Sequence, residues 1–381
     1  MNQLVAGCIL ANQRITTDFP DATSIRMTGS DMHAGQSVHI VTIPTAEGGE
    51  EKWVYKPRNL EVDKAVCGPE GMFSRINELS DGTVQLPLMA FRDPVAVADL
   101  HTYGYTQFVS NTPSSIIMNE TEANTYYRQL GQLVVACMTL GIADIHQDNI
   151  MAGITVGTDK KPYIIDAEVS FLPQKIASDG ANNIEFAKVR TFGEKLTNNA
   201  VISGEDLKHL QSGPEVLSES PHLQAYLHSF EDGALALKNV LGTPGVIDTL
   251  TARLNTLRDA HALSHTRLVP LATSEFETAR PSIPANPLAL NSLCEQLEQS
   301  FNHSHIDIPY ASWGHIRAGL IEDLQTGNIP IMHFDAEHNA IMYRGQQIGS
   351  YEPGHHDISQ LVSDKAHRIA DMIPAQLFQI L

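Results

Sequence analysis

Residues 141–173 read GIADIHQDNIMAGITVGTDKKPYIIDAEVSFLP. The pattern predicts a loop leaving an apolar helix, then a hairpin, then a short strand ending on an acid. Asp144 and Asn149 stand five positions apart in that loop, and Asp166 follows the apolar run Tyr163-Ile164-Ile165. A carboxylate, an amide and a second carboxylate suit Mg²⁺-assisted transfer to a hydroxyl. One acid takes the hydroxyl proton, while the amide and the other acid hold the cation against phosphate. Asp and Asn are also ordinary turn residues that satisfy backbone groups. The stretch therefore takes its meaning from its surroundings.

Immediately upstream, Thr121 to Leu140 is predicted to be a helix. Asn119 or Thr121 caps it, Glu120 and Glu122 suit its first turn, and Gly141 ends it. Leu130, Leu133, Val134, Cys137 and Met138 form its buried face. Further back, strand Lys52–Arg58 places Lys56 near its end, where Pro57 closes it. A strand from Ser37 to Ile43 and a hairpin connection at Thr45–Glu50 precede it, and a turn-like segment at Ser30–Gly35 carries Asp31 and His33. A helix from Leu60 to Leu79, interrupted at Cys67-Gly68-Pro69, follows, then strand candidates Leu86–Phe91 and His101–Val109. Residues 1 to about 30 suggest strands or a loose lead-in. Hairpin, lysine-bearing strand and helix follow the order of a protein-kinase small lobe. The Asp/Asn pair and the later acid match the spacing of a kinase catalytic loop and its metal-binding acid.

Beyond Pro173 helices are expected at 183–195, 204–211, 221–240, 245–264 and 287–302. Thr266 to Pro287, carrying Pro270, Pro281 and Pro284, reads as a non-helical crossing. Ile329–Asp335, a hairpin through Met342 and Ile348, and a helix from Asp357 to Leu381 complete the chain. The expected fold class is α+β, a bilobal protein-kinase-like or lipid-kinase-like fold. A small β-rich N-lobe would span 1–112 and a mainly helical C-lobe 113–381, with the boundary at Asn111-Thr112-Pro113.

Composition narrows the partners. The chain has 381 residues, 42% hydrophobic and 18% charged, as in ordinary globular proteins. A net charge of −19 argues against nucleic acid and against an anionic membrane, since little basic surface remains to neutralise phosphates. Cys8, Cys67, Cys137 and Cys294 are widely separated and read as core thiols of a reducing compartment. Without a membrane-length apolar run or a signal sequence, a cytoplasmic location is expected, with delivery to another cell by a signal-less secretion route as the alternative.

Five segments, GSDMHAGQSV (29–38), WVYKPRNLEVD (53–63), YGYTQFV (103–109), YYRQLGQLVVACMTLGIADIHQDNI (126–150) and PYIIDAE (162–168), together resemble the dehydratase domain of class II lanthipeptide synthetases, the LanM family. That resemblance covers roughly residues 29–173 well and the rest more weakly. It implies a kinase-like core that uses ATP and Mg²⁺ to phosphorylate Ser and Thr of a peptide and then eliminates phosphate. Carried over, Asp144 is the catalytic acid of the loop, with His146 beside it. Asn149 and Asp166 hold Mg²⁺, helped by Glu168, and Lys56 contacts phosphate. Asp31 and His33 fall on an acid and a histidine used around the phosphate and in elimination. Arg267 and Thr273 keep the six-residue spacing of an elimination segment; Phe276 replaces its aromatic, and Leu271 stands where a second Arg is expected. Gly327-Asn328-Ile329-Pro330 resembles a Gly-Asp-Ile-Pro element of the family.

Two departures accompany the resemblance. The long helical region before the Asp31 motif is not expected here, nor is a zinc-bearing cyclase domain, so ring formation would need a separate cyclase. Three functions remain in contention. The first is a kinase–lyase acting on a Ser/Thr-bearing peptide or protein. The second is a kinase without the lyase step, acting as an effector on a host protein or small molecule. The third is an inactive binding module. Lys56, Asp144, Asn149 and Asp166 together favour an enzyme over the module, and Asp31, His33, Arg267 and Thr273 favour the first reading over the second.

Overall fold

The computed structural model describes residues 3–28, 36–96, 102–110, 120–142, 149–155, 160–171, 221–268, 271, 273–281, 287–326 and 328–380. The architecture is α+β, with a β-sheet N-terminal region and a mainly helical remainder, as expected.

The chain starts with helix α1 (Gln3–Asp18), where strands or a loose lead-in were expected. β-branched residues and Gly7 obscure its helical period, and its tertiary partners decide the outcome. Strands β1 (Ser24–Met27), β2 (His39–Pro44) and β3 (Glu50–Lys56) follow. Next come helices α2 (Glu61–Cys67) and α3 (Met72–Leu79), broken as predicted around Gly68, then β4 (Phe91–Arg92) and β5 (Gly104–Gln107). The strands form one antiparallel sheet in the order β1-β2-β3-β5-β4. Of the expected strand Leu86–Phe91, only Phe91 enters the ladder. α1 buries Ala11, Ile15 and Phe19 in a cluster with Val41, Trp53, Tyr55, Tyr103 and Tyr105 of the sheet. Its last residue, the buried Asp18, accepts hydrogen bonds from the Tyr103 and Tyr105 hydroxyls at 2.8 and 2.6 Å and from the Val95 amide at 2.8 Å. A carboxylate with three donors is tolerated in this aromatic setting.

Helix α4 (Glu120–Leu140) is buried all round from Gln129 onward, because its second half, GQLVVACMTL, carries no charge and its two polar side chains, Gln132 and Thr139, are hydrogen-bonded. Gly141, at φ +64°, ends it, and the Ile142 amide reaches back to the Cys137 carbonyl at 2.9 Å. That six-to-one bond over a left-handed glycine is a Schellman stop. Strands β6 (Ile150–Gly153) and β7 (Lys161–Ile164) form the expected hairpin, and Ser110 bridges to Ile154 beside it.

Helix α5 (Pro221–Leu241) lies against α4 with near-contact of the backbones. A Cβ on Gly131 would stand 2.0 Å from the Phe230 carbonyl oxygen, and one on Gly233 only 1.9 Å from that of Arg128. Each long helix thus carries a mid-helix glycine where the other presses in, which offsets the roughly 1 kcal/mol that glycine costs a helix. Gly233→Ala is expected to destabilise the fold by about 1–3 kcal/mol in urea unfolding, the usual range for overpacking. An unchanged midpoint would show that these helices separate at no cost.

Helix α6 (Val246–Asp259), strand β8 (Thr266–Leu268) and helix α7 (Thr273–Ala279) come next. The last two correct the expectation of a non-helical crossing. Pro270 and Pro281 flank α7 rather than interrupt it. Helix α8 (Pro287–His303), strand β9 (Ile306–Asp307) and helix α9 (Trp313–Thr326), which the sequence reading left unassigned, lead to β10 (Met332–Asp335), β11 (Ala340–Tyr343) and β12 (Gln346–Tyr351). These strands build a second antiparallel sheet, β8-β10-β11-β12-β9. The expected terminal helix divides into α10 (Ile358–Asp371) and α11 (Pro374–Ile380), because Met372 turns extended ahead of Pro374. The expected lobe boundary at 111–113 and the helices expected at 183–195 and 204–211 lie outside the described residues. Among the described residues all four cysteines are free, with Cys67, Cys137 and Cys294 buried. No helix there is long and apolar enough to cross a membrane.

Candidate active site

The end of β3, the first turn of α2, the end of β7 and strand β8 meet in one cluster of charged side chains. β3 runs from exposed residues Glu50–Lys52 into the buried Trp53, Tyr55 and Lys56 and stops at Pro57, which has no N–H to continue the ladder. Lys56 therefore emerges at the strand terminus, buried to 7% exposure, and its Nζ donates to the Ile165 carbonyl and stands 3.5 Å from Asp166 Oδ2. Asn59 Oδ1 accepts from the Glu61 amide at 2.7 Å and starts α2, which sets Asp63 in the first turn. Arg58 lies between these elements. It donates to both Asp63 oxygens (2.6 and 2.9 Å) and to Asp166 Oδ1 at 2.5 Å, and its Nε forms an ion pair with Glu168 Oε2 at 3.1 Å. Asp63 Oδ1 also accepts the Ala167 amide at 3.1 Å, which fixes the backbone between Asp166 and Glu168.

Arg267 on β8 enters from the second sheet. Its amide donates to the Glu168 carbonyl at 2.8 Å, and its guanidinium pairs with Glu168 Oε1. Three cations and three carboxylates thus balance in a largely buried site. Burial opposes the charge of Arg58, but Asp166, Asp63 and Glu168 more than offset it and raise its pKa. The pairing is what makes the burial tolerable, since each lone charge here would be costly. Asp166 is the most open of the three acids, at 28% side-chain exposure against 3% for Asp63 and 11% for Glu168.

Asn149 immediately precedes β6, and its carbonyl accepts the Ile165 amide at 2.9 Å. With Ile150 opposite Ile164, the hairpin register brings Asn149 to the strand end that carries Asp166. The structure therefore gathers Lys56, Asn149, Asp166, Glu168 and Arg267 at one place. Thr273 is the first residue of α7. Asp31, His33, Asp144 and His146 lie outside the described residues.

Arg58 and Asp63 were missed as site residues by the sequence reading. Both lie in the WVYKPRNLEVD segment already singled out, and the signal was an arginine two positions after the strand lysine with an acid five further on. His333 was missed as well. It sits opposite Arg267 in the β8–β10 ladder, its ring 5.9 Å from that of His265, with Nδ1 buried and unpartnered. Burial, then His265, push its pKa down to about 4. The unfolded imidazole titrates near 6.5. Folding therefore favours neutral His333, and this contribution is lost as pH falls from about 6.5 toward 4. The loss is on the order of 3 kcal/mol at full titration. His333→Asn should flatten the pH dependence of urea stability over that range; an unchanged slope would count against a neutral, buried imidazole.

Comparison with known proteins places the chain. A family described as "Domain of unknown function (DUF4135)" matches residues 9–203, just over half the sequence. The chain belongs to that family. The matched span includes Lys56, Arg58, Asp63, Asn149, Asp166 and Glu168 and stops short of Arg267. The lacticin 481/lactococcin biosynthesis protein LcnDR2 of Lactococcus lactis subsp. lactis is 25% identical over 178 residues, which are 46% of this chain and 17% of that protein. The chain thus matches about a sixth of that relative's length. Among solved structures, the MAP kinase LmaMPK10 of Leishmania major aligns over 96% of this chain and 99% of its own, at 13% identity and a TM-score of 0.27.

Proposed function

We propose that this protein phosphorylates Ser and Thr hydroxyls of a peptide or protein with ATP and Mg²⁺, and then eliminates the phosphate. The observation that carries this reading is the joining of Arg267 to Glu168, two residues from Asp166 and beside Lys56. Residues expected in transfer and a residue expected in elimination share one cluster. The similarity to a lacticin/lactococcin biosynthesis protein supports a peptide as the substrate class.

The donors around Asp166 and Asn149 are oxygens, the chemistry Mg²⁺ takes. Glu168 has both oxygens engaged by guanidinium groups, from Arg58 and Arg267, and is 11% exposed. Asp166 is 28% exposed, and its Oδ2 faces the Lys56 ammonium at 3.5 Å. Glu168 therefore serves better as an anchor for arginines and Asp166 as the cation ligand. Mg²⁺, when bound, supplies charge neutralisation to the phosphates. In this reading Lys56 contacts phosphate oxygens and Asp144 accepts the proton of the attacking hydroxyl, with His146 beside it. Asp166 and Asn149 orient the cation. In elimination His33 takes the Cα proton, the C–H electron pair forms the Cα=Cβ bond, and phosphate departs with the Cβ–O electron pair. Arg267 compensates the charge that builds on that phosphate, assisted by Thr273 and Asp31.

The test is incubation with ATP, Mg²⁺ and a pool of synthetic Ser/Thr peptides, read by mass spectrometry, with Mg·ATP binding followed by calorimetry. Loss of water from a peptide supports both steps, and a gain of phosphate alone removes the lyase step. Neither change, together with no Mg·ATP binding, overturns the reading. Arg267→Ala should accumulate phosphopeptide. If its product is fully dehydrated, Arg267 does not serve elimination.

A further inference from the structure

Far from the Lys56 cluster in sequence, Glu352-Pro353-Gly354-His355 closes β12 with a tight turn. The His355 amide donates to the Glu352 carbonyl at 3.1 Å, and Gly354 has φ +86°. Proline second and a positive-φ glycine third form the type II pattern, which brings the first and fourth residues together. Those residues are Glu352 and His355. Across the sheet, β9 pairs with β12 so that Ile306 faces Tyr351. One position further out, the Glu352 amide donates to the His305 carbonyl at 2.8 Å. Backbone hydrogen bonds therefore collect His305, Glu352 and His355. His305 itself has φ +54°, a left-handed conformation that a side-chain-bearing residue holds at some cost.

The side chains complete the arrangement. His305 Nδ1 lies 3.1 Å from Glu352 Oε2, and the His305 and His355 rings stack at 4.1 Å with planes 3° apart. One ligating atom from each of the three residues lies within 4.8 Å of the others. We propose that His305, Glu352 and His355 bind one divalent transition-metal ion of the zinc class. Two imidazoles and a carboxylate are a ligand set that zinc accepts, with the remaining position left to water. Imidazole selects such ions over Mg²⁺, so the site differs in chemistry from the oxygen donors around Asp166. The rings tilt out of their parallel stack to share one ion, a rotation that the half-exposed side chains permit. His305 lies two residues beyond α8, and His355 two before Asp357, the N-cap of α10. A bound ion would clamp the junctions of α8, β9, β12 and α10. This inference stands independently of the transferase–lyase reading.

The experiment titrates chelator-treated full-length protein with Zn²⁺ by calorimetry and with Co²⁺ as a spectroscopic probe. The expected result is one tight equivalent, ligand-field absorption with Co²⁺, and a higher Tm with Zn²⁺. The double variant His305→Ala/His355→Ala should weaken that equivalent by about 100-fold or more. His338→Ala should leave it unchanged, which excludes the neighbouring Asp335, Glu337 and His338 group as its source. Should the double variant fail to match the wild-type circular dichroism without metal, Glu352→Gln, at an exposed position, carries the test with an expected loss of about 10-fold. Retained affinity in the variants, loss in His338→Ala, or no equivalent tighter than about 100 μM overturns the proposal.

Discussion

Asp166→Asn is expected to slow phosphate transfer by roughly 10²–10³-fold, the range seen when one preorganised electrostatic group is removed. The substitution keeps the shape of the side chain and one acceptor oxygen. It removes the negative charge that faces Lys56 Nζ at 3.5 Å and that is proposed to hold Mg²⁺. The fold should persist, because Asp166 is the most exposed acid of the cluster and Arg58 retains Asp63 and Glu168. A stability loss of about 1.5–3 kcal/mol is expected from one weakened charged hydrogen bond. Transfer assays and urea unfolding on the same preparation separate the two effects. Full activity in Asp166→Asn would remove this acid from the chemistry, while an unfolded variant would make its role structural. Asn149→Ala provides the comparison from the other side of the hairpin: it should impair transfer with a smaller change in stability.

Local patterns carried the parts of this site that lie within single elements. The strand that ends at Lys56, the α4 helix with its Gly141 stop and the hairpin that delivers Asp166 all follow from short-range composition, periodicity and turn chemistry. What joins them does not. Arg58 looked like a strand-end cation because its three acids come from positions 63, 166 and 168, and no sequence window spans them. Arg267 could be singled out by spacing, but its approach to Glu168 depends on β8 pairing with β10, about 65 residues later in the chain. For the same reason the second sheet is legible in the sequence only as the segment 329–335 and the hairpin through Met342 and Ile348, without β8 and β9.

Helix α1 shows the opposite failure. Its own sequence is ambiguous, and its helical state is settled by an aromatic sheet face that takes Ile15 and Phe19 and by the tyrosines that hold Asp18. Conversely, the prolines between 270 and 287 were overweighted. A proline bars the helix interior, yet it is compatible with a helix that starts after one and stops before the next, as α7 does. The mid-helix glycines of α4 and α5 carried no readable meaning until the crossing of the two helices was known.

Arg58→Met is expected to destabilise the protein by about 3–5 kcal/mol, the usual cost of removing one partner from a buried ion pair. Arg58 is only 10% exposed and holds Asp63, Asp166 and Glu168 at once. Without it, Lys56 and Arg267 face three carboxylates, and the deficit falls hardest on Asp63, which is 2% exposed. Methionine fills much of the stem volume, so the loss reports charge and hydrogen bonding more than a cavity. Arg58→Lys should rescue only part of it, because an ammonium cannot span Asp63 in bidentate fashion while reaching the other two acids. The pH dependence supplies an independent sign. Carboxylates stripped of their cation have folded-state pKa values above their unfolded ones. Their penalty is therefore present at neutral pH and relieved as pH falls toward the unfolded carboxylate range near 4. The gap between wild type and Arg58→Met in urea unfolding should accordingly narrow from pH 7 to pH 4.5. In a double-mutant cycle, Asp63→Asn should cost much less in the Arg58→Met background than in the wild type. Additive losses together with a pH-independent gap would mean that Arg58 stabilises by packing alone, and the cluster would then lose its electrostatic keystone.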